Sequence, residues 1–211
     1  MAYRETEKMR QRKAEARQRI VTCAYQCVAE SGFRSARITT IAVSAGVATG
    51  TIYRHFESKE DLFAEIFRLA TQREVDKVAQ ALTTTGGNAA NRLEAALRQF
   101  AERALRGPVM AWSLIAEPVD PKVEEERLAY RKAYARLFEQ AIDEGMNEGC
   151  IPEQDARQTS TCLVGAIAES LVGPLSPTQA GDQPDLKDDN NDPLVNAILR
   201  FCMQGLTGTR R

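Results

Sequence analysis

One histidine (His55) and one tryptophan (Trp112) occur in 211 residues. A single imidazole leaves no material for histidine-based catalytic triads or histidine-rich metal sites. The five cysteines, Cys23, Cys27, Cys150, Cys162 and Cys202, are odd in number, scattered and without a C-x-x-C pair. That pattern fits a reducing compartment better than a disulfide framework. Cys23 and Cys27 lie four apart on one helix face and read as small core residues rather than a redox pair. No apolar run reaches the roughly 18 residues that a transmembrane helix needs, so no membrane partner is expected. The segment up to Arg19 is too charged for a secretory signal, and the expected location is cytoplasmic. Neither G-x-x-x-x-G-K-[ST] nor G-x-G-x-x-G is present, and no cofactor is implied. Alternating strand patterns and internal repeats are also missing.

What is present is charge asymmetry and helical periodicity. Residues 1–60 hold eleven basic and six acidic side chains, whereas the remainder holds seventeen and twenty-three. A basic end on an acidic body implies that only the N-terminal part meets a polyanion; uneven solvated charge is the alternative. The hydrophobic content of 43% supports a substantial core.

Nearly every long segment repeats apolar residues at i, i+3, i+4, i+7. Ile20, Cys23, Ala24, Cys27 and Val28 mark a first helix that Gly32 ends. Two short helices follow at about 38–45 and 49–55. Ser58 is placed to cap a helix of about 58–83, long enough to link two domains. Further helices are expected at about 89–106, 109–116, 122–147, 153–172 and 193–206. The stretch from Pro174 to Pro193 is rich in Pro, Gly, Asp, Asn and Gln and reads as an acidic loop.

The segment Ile41–Phe56 carries the clearest chemistry. Ile41, Val47, Ile52 and Phe56 are spaced to pack two short helices onto the first. Gly46 suits the left-handed backbone of a tight turn. The second short helix is expected to carry Thr49, Thr51, Tyr53, Arg54 and His55 outward, as a helix that enters the major groove requires. Threonine and tyrosine hydroxyls reach bases or phosphates, and threonine methyls meet thymine methyls. Arg54, His55 and Lys59 suit phosphate contacts, which position without specifying sequence. Gly50 leaves room for close backbone approach.

The combination Ile41-Ala42-x-x-Ala45-Gly46-Val47, Gly50-Thr51-Ile52-Tyr53-x-His55-Phe56 and Ser58-Lys59-Glu60-x-Leu62 resembles the DNA-binding region of the tetracycline-repressor (TetR) family. The match covers roughly residues 20–67. Two positions depart from the family pattern, which often has Thr or Ser at Arg37 and Ser at Ala48; both are N-cap positions. Thr39 and Thr49 are the available substitutes.

The resemblance implies an all-α chain. Residues 1–57 would form an N-terminal arm and three-helix helix-turn-helix domain, 58–84 a connecting helix, and 85–211 a larger helical ligand-binding and dimerisation domain. The implied partner is a double-stranded DNA operator, met by Arg37, Thr39, Thr40, Thr49, Gly50, Thr51, Tyr53, Arg54, His55 and Lys59. The implied assembly is a homodimer joined through the helices at about 153–172 and 193–206, since two recognition helices about 34 Å apart read successive major-groove faces of a palindrome. A small-molecule effector is implied among the helices spanning 89–172. Phe100, Trp112, Tyr130 and Tyr134 are candidate lining residues, and Arg131 or Glu169 would orient a polar group. Core packing is the competing role for each aromatic, and Arg127 and Arg131 read as surface charges on a long helix. The basic stretch from Arg4 to Arg19 is either an arm that follows DNA or a solvated helical extension.

The leading expectation is thus a ligand-responsive repressor, and not an enzyme. A DNA-binding regulator or architectural protein without a small-molecule effector is the alternative, distinguished by a solid core where a pocket of several hundred Å³ would otherwise lie. The helix at 58–83 is the expected lever between effector and DNA.

Overall fold

The computed structural model describes residues 7–177 and 192–208, and within them every regular element is a helix. The order is α1 (Glu7–Ser35), α2 (Ile38–Ser44), α3 (Thr49–Ile52), α4 (Lys59–Thr84), α5 (Ala89–Arg106), α6 (Pro108–Ile115), α7 (Pro121–Asn147), α8 (Ala156–Leu175) and α9 (Asp192–Thr207). Arg4 and most of the acidic loop expected after Pro174 lie outside the described residues.

Local chemistry sets most helix starts. The Ser58, Asn88, Asp120 and Asp155 side chains accept from the backbone N–H groups of Asp61, Asn91, Lys122 and Gln158, capping α4, α5, α7 and α8. Each fills one donor that the first helical turn leaves without a partner. Arg37 and Ala48 sit at the N-caps of α2 and α3 and supply no side-chain cap. Those two helices are held by burial instead.

A first apolar cluster gathers α1 to α4. Ile20, Ala24 and Val28 of α1 close over Ile41, Ile52, Phe56, Leu62, Ile66 and Phe67. This cluster is not confined to the N-terminal helices. Val123 of α7 is part of it, and Met110 and Leu114 of α6 pack on its edge. A second, larger cluster joins α4, α5, α7, α8 and α9 around Leu93, Leu97, Ile142, Leu171 and Leu206. Helix α4 contributes to both: its first half serves the small cluster, while Val78, Ala81 and Leu82 serve the large one.

Several element ends differ from the sequence expectation: α8 starts at Ala156, behind its Asp155 cap, rather than at about 153, and α1 continues past the break at Gly32 to Ser35. Helix α3 stops at Ile52 rather than continuing to residue 55, because Arg54 and His55 donate to the carbonyls three residues back (3.2 and 2.9 Å) and tighten the chain out of the α-helix. Helix α8 runs on through Pro174 to Leu175, its last turn held by the buried Leu171 and Leu175.

Candidate DNA-reading segment and effector cavities

Between α2 and α3 the chain reverses at Gly46, whose φ of 65° lies in the left-handed region that side chains disfavour. The turn is closed by Gly46 N–H donating to Val43 O (3.1 Å) and Val47 N–H donating to Ala42 O (3.0 Å). Ile41 and Ile52 are fully buried and hold the two short helices against α1. This anchoring turns Thr39, Thr40, Thr49, Gly50, Tyr53 and Arg54 outward, together with Arg37 just before α2. Thr51, His55 and Lys59 are half-buried. The early end of α3 places Tyr53, Arg54 and His55 on the tightened turn after the helix rather than on the helix itself. Val43, beside this surface and 81% exposed, is an apolar group that the sequence reading did not single out. A Cβ at Gly50 would meet no atom within 4 Å, so nothing in the free protein requires glycine there.

Basic residues of α1 border this surface. Lys59 Nζ lies 4.8 Å from the centre of the Phe63 ring. Arg17 pairs with Glu65 and covers the Phe56 ring at 4.9 Å. It therefore fastens α1 to α4 and is not wholly a solvated cation. Burial holds His55 below the ordinary histidine pKa, with Lys13 and Arg17 adding to the effect. The other basic residues of α1 between Lys8 and Lys13 are exposed on helix, not on an extended strand of chain.

Three adjoining cavities run through the helical body. The first, about 250 Å³, is bounded by Tyr25, Glu74, Phe100, Arg103, Met110 and Tyr134 among others. A narrow middle cavity of about 60 Å³ shares Phe100, Leu114, Ile115 and Tyr134 with it and adds Thr71, Tyr130 and Phe138. A third, about 260 Å³, shares Ile115, Arg131, Val164 and Ala168 with the middle one and ends among Lys132 and Glu169. Phe100 and Tyr134 stack edge to face, with ring centres 5.6 Å apart, at the narrowing.

Five of the six expected lining residues thus border these cavities: Phe100, Tyr130, Arg131, Tyr134 and Glu169. Trp112 borders none of the three and is half-buried against the large cluster beside Ala111 and Ile115. The reason is helical geometry, since Leu114, which borders the first two cavities, stands two residues on and so nearly opposite Trp112 around α6. Glu169 is exposed at the open end, so its carboxylate is not the costly buried charge that its apolar surroundings in sequence imply. Tyr134 is partly buried, and desolvation pushes its phenol above the ordinary tyrosine value, keeping it protonated.

Arg127 reverses the sequence expectation. It is 7% exposed, not a surface charge. Its guanidinium donates to the carbonyls of Ser113 (3.2 Å), Leu114 (3.1 Å) and Glu117 (2.7 Å), and it pairs with Glu124. These carbonyls lie at and just beyond the C-terminal end of α6, where a helix leaves acceptors without partners. Glu117, also buried, then accepts from Phe33 N–H (2.9 Å) and Arg34 N–H (3.0 Å). These two donors are free because Gly32, with φ 78°, breaks the helical path inside α1. A Cβ on Gly32 would stand 2.8 Å from Glu117 Oε1, so both backbone angle and space demand glycine. One connected set of polar contacts therefore runs from the middle cavity, through Arg127 and Glu117, to the end of α1 directly before α2. Glu117 has no local sequence signal that would reveal this, because its partners lie more than eighty residues away.

Comparison with known proteins agrees with this geometry. A family model described as bacterial regulatory proteins, tetR family, matches residues 20–66, and one described as tetracyclin repressor-like, C-terminal domain, matches residues 86–183. The fatty acid metabolism regulator protein of Bacillus subtilis is 24% identical over 183 residues, spanning 85% of this chain and 93% of that protein. The transcriptional repressor KstR2 of Mycobacterium tuberculosis is 29% identical over 167 residues, spanning 74% and 82%. The crystal structure of the regulator FadR from Bacillus subtilis, in complex with stearoyl-CoA, superposes with a TM-score of 0.70 at 22% identity, covering 90% of this chain and 98% of that one.

Proposed function

This chain belongs to the tetR family of bacterial regulatory proteins and is a DNA-binding transcription regulator; on that premise we propose that it is a homodimeric cytoplasmic repressor released from its operator by an elongated, largely apolar small molecule of the acyl type. Its operator surface is made of Arg37, Thr39, Thr40, Thr49, Gly50, Thr51, Tyr53, Arg54, His55 and Lys59. The threonine and tyrosine groups read base edges, while the cations fix the register on phosphates. An effector-free architectural protein would need no path through its body, and the three adjoining cavities favour the ligand-responsive reading. The FadR relative, seen with stearoyl-CoA, supports an acyl-type occupant.

One observation carries the mechanism. Leu114 and Arg127 border the middle cavity, and the same Arg127 holds the α6 end whose Glu117 caps the broken end of α1. An occupant that displaces Leu114 or Arg127 shifts Glu117, and with it the entry into α2. Helix α4 is the second connection, since it joins both cores and pairs Asp61 with Lys122 of α7. A ligand can release DNA only through different affinity for the two arrangements.

For the dimer we narrow the expected surface on α8 and α9. The apolar residues of α8 and α9, such as Leu163, Ile167, Val195, Ile198 and Leu199, are consumed in the protomer's own core. What α9 leaves open is a ridge of Ala197, Phe201 and Gly205, with Phe201 69% exposed. We assign the symmetric contact to this ridge and to the open face of α8 around Cys162 and Gly165.

Operator binding by fluorescence anisotropy, with and without stearoyl-CoA or shorter acyl-CoA, tests the reading. Bound effector should weaken operator affinity at least about tenfold, the coupling typical of linked sites. Unchanged affinity with effector demonstrably bound overturns it. Tyr53→Ala should weaken operator binding while leaving folding and assembly intact.

A further inference from the structure

Thr71 stands alone among the described buried polar side chains. It is 4% exposed, and its Oγ1 is the only buried side-chain nitrogen or oxygen there without a hydrogen-bond partner. Helical hydroxyls normally fold back onto a carbonyl of the preceding turn. Ser113 does so onto Val109 O (2.9 Å) and Ser160 onto Arg157 O (2.8 Å), the other two buried hydroxyls of the described chain. Thr71 does not, and it borders the narrow middle cavity. An unpaired buried hydroxyl is costly, and a β-branched apolar residue of the same shape would fill the site without that cost.

The other polar groups of the middle cavity are committed or lie at its edge. Arg127 is spent on three carbonyls and Glu124. Tyr130 Oη is turned to Arg68 O (3.1 Å) and Gln72. Arg131 is exposed toward the third cavity. That leaves Thr71 and Tyr134, lining residues that each carry an uncharged hydroxyl, among otherwise apolar walls of Phe100, Leu114, Ile115 and Phe138. Two neutral hydroxyls suit a neutral oxygen and offer no counter-charge to an anion.

We propose that Thr71 is a specificity-determining residue for an effector whose apolar skeleton bears an uncharged oxygen, a hydroxyl or carbonyl, at the narrowing between the two larger cavities. This rests on the acyl-type reading above and sharpens it. A plain saturated chain that crosses the narrowing leaves Thr71 unpaired, whereas an oxygenated one satisfies it.

The experiment uses the full-length protein, with the emission of Trp112, the sole tryptophan, as readout. Stearate is titrated beside a positional series of hydroxystearates and ketostearates, against wild type, Thr71→Val and Thr71→Ser. At one or more positions the oxygenated acid should bind wild type and Thr71→Ser alike, and Thr71→Val about five- to tenfold more weakly, the range of one buried hydrogen bond. Stearate should bind Thr71→Val at least as well as wild type. The ligand-free Thr71→Val protein should melt at a higher temperature, a gain opposite in sign to its loss of binding. Equal affinity of wild type and Thr71→Val for every oxygenated acid, with stearate bound, overturns the role of Thr71 and leaves the acyl-type reading standing. Failure of every acid, and of stearoyl-CoA titrated beside them, to bind wild type overturns that reading and the proposal together.

Discussion

Ile52 is the residue on which α3 depends. A four-residue helix cannot persist on its own hydrogen bonds, since nucleation costs more than so few bonds return. With no capping side chain at Ala48, burial of Ile52 and Phe56 is what keeps Thr49, Thr51 and Tyr53 in place. His55 adds a charge that can be switched beside the same surface. Its pKa is depressed by burial first and then by Lys13 and Arg17, so it is neutral at pH 7.5. The unfolded chain takes up that proton first, near the ordinary histidine value of about 6.5. The folding contribution of neutral His55 is therefore complete above that value and is lost as pH falls through the lower folded value. On the proposed operator surface DNA affinity should move the other way, because a protonated His55 would add a cation near phosphate. Between pH 7.5 and 5.5, operator affinity should rise while melting temperature falls, and His55→Gln should flatten both. As His55 is the only histidine in the chain, a pH response in this window that survives His55→Gln would refute the assignment.

Among elements, α6 has the largest effect for its length. Eight residues long, it borders all three cavities at Ile115 and two of them at Leu114, and it delivers Glu117 to the end of α1. Glu117→Gln keeps the shape but removes the charge from two backbone hydrogen bonds and turns one of the two acceptors into a donor. The expected loss is about 1–3 kcal/mol of folding stability, measured by denaturant unfolding. The effector should also lose part of its grip on the operator, seen as a smaller affinity ratio with and without ligand. A variant that loses stability but keeps the full ratio would show that Glu117 only fastens the elements and does not transmit. Helices α4 and α7 were legible in the sequence by period, cap and length; the role of α6 was not. Its carbonyl partners are supplied by Arg127, whose position four residues before Arg131 on a charged helix gives no hint that one points inward and the other outward.

At the scale of the whole molecule, two buried clusters share α4 and are joined by α6 and α7, so the reading segment and the cavities belong to one packed body rather than to beads on a linker. In the proposed dimer the exposed ridge of α9 is where two such bodies would meet. Phe201→Asp should leave the protomer folded, because the ring is 69% exposed, and should shift the protein to monomer in light scattering. A monomer presents one recognition element instead of two, so operator affinity should fall by more than tenfold, about 1.4 kcal/mol at least. A variant that remains dimeric would place the symmetric contact elsewhere.

Sequence alone determined the helices, the Gly46 turn, the Ser58 cap and the outward polar edge of residues 37–59. Each is a local property: apolar period, backbone freedom and capping act within a few residues, and the free energies they govern can be read from neighbours in the chain. Tertiary structure decided the rest. It chose that Arg127 turns inward, that Glu117 caps a helix eighty residues earlier, that Thr71 is left without a partner, and that Phe201 and not the apolar face of α9 remains open. These depend on which helices cross and at what height. A buried polar group is stable only if its partner arrives from another element, and no periodicity along the chain specifies that meeting.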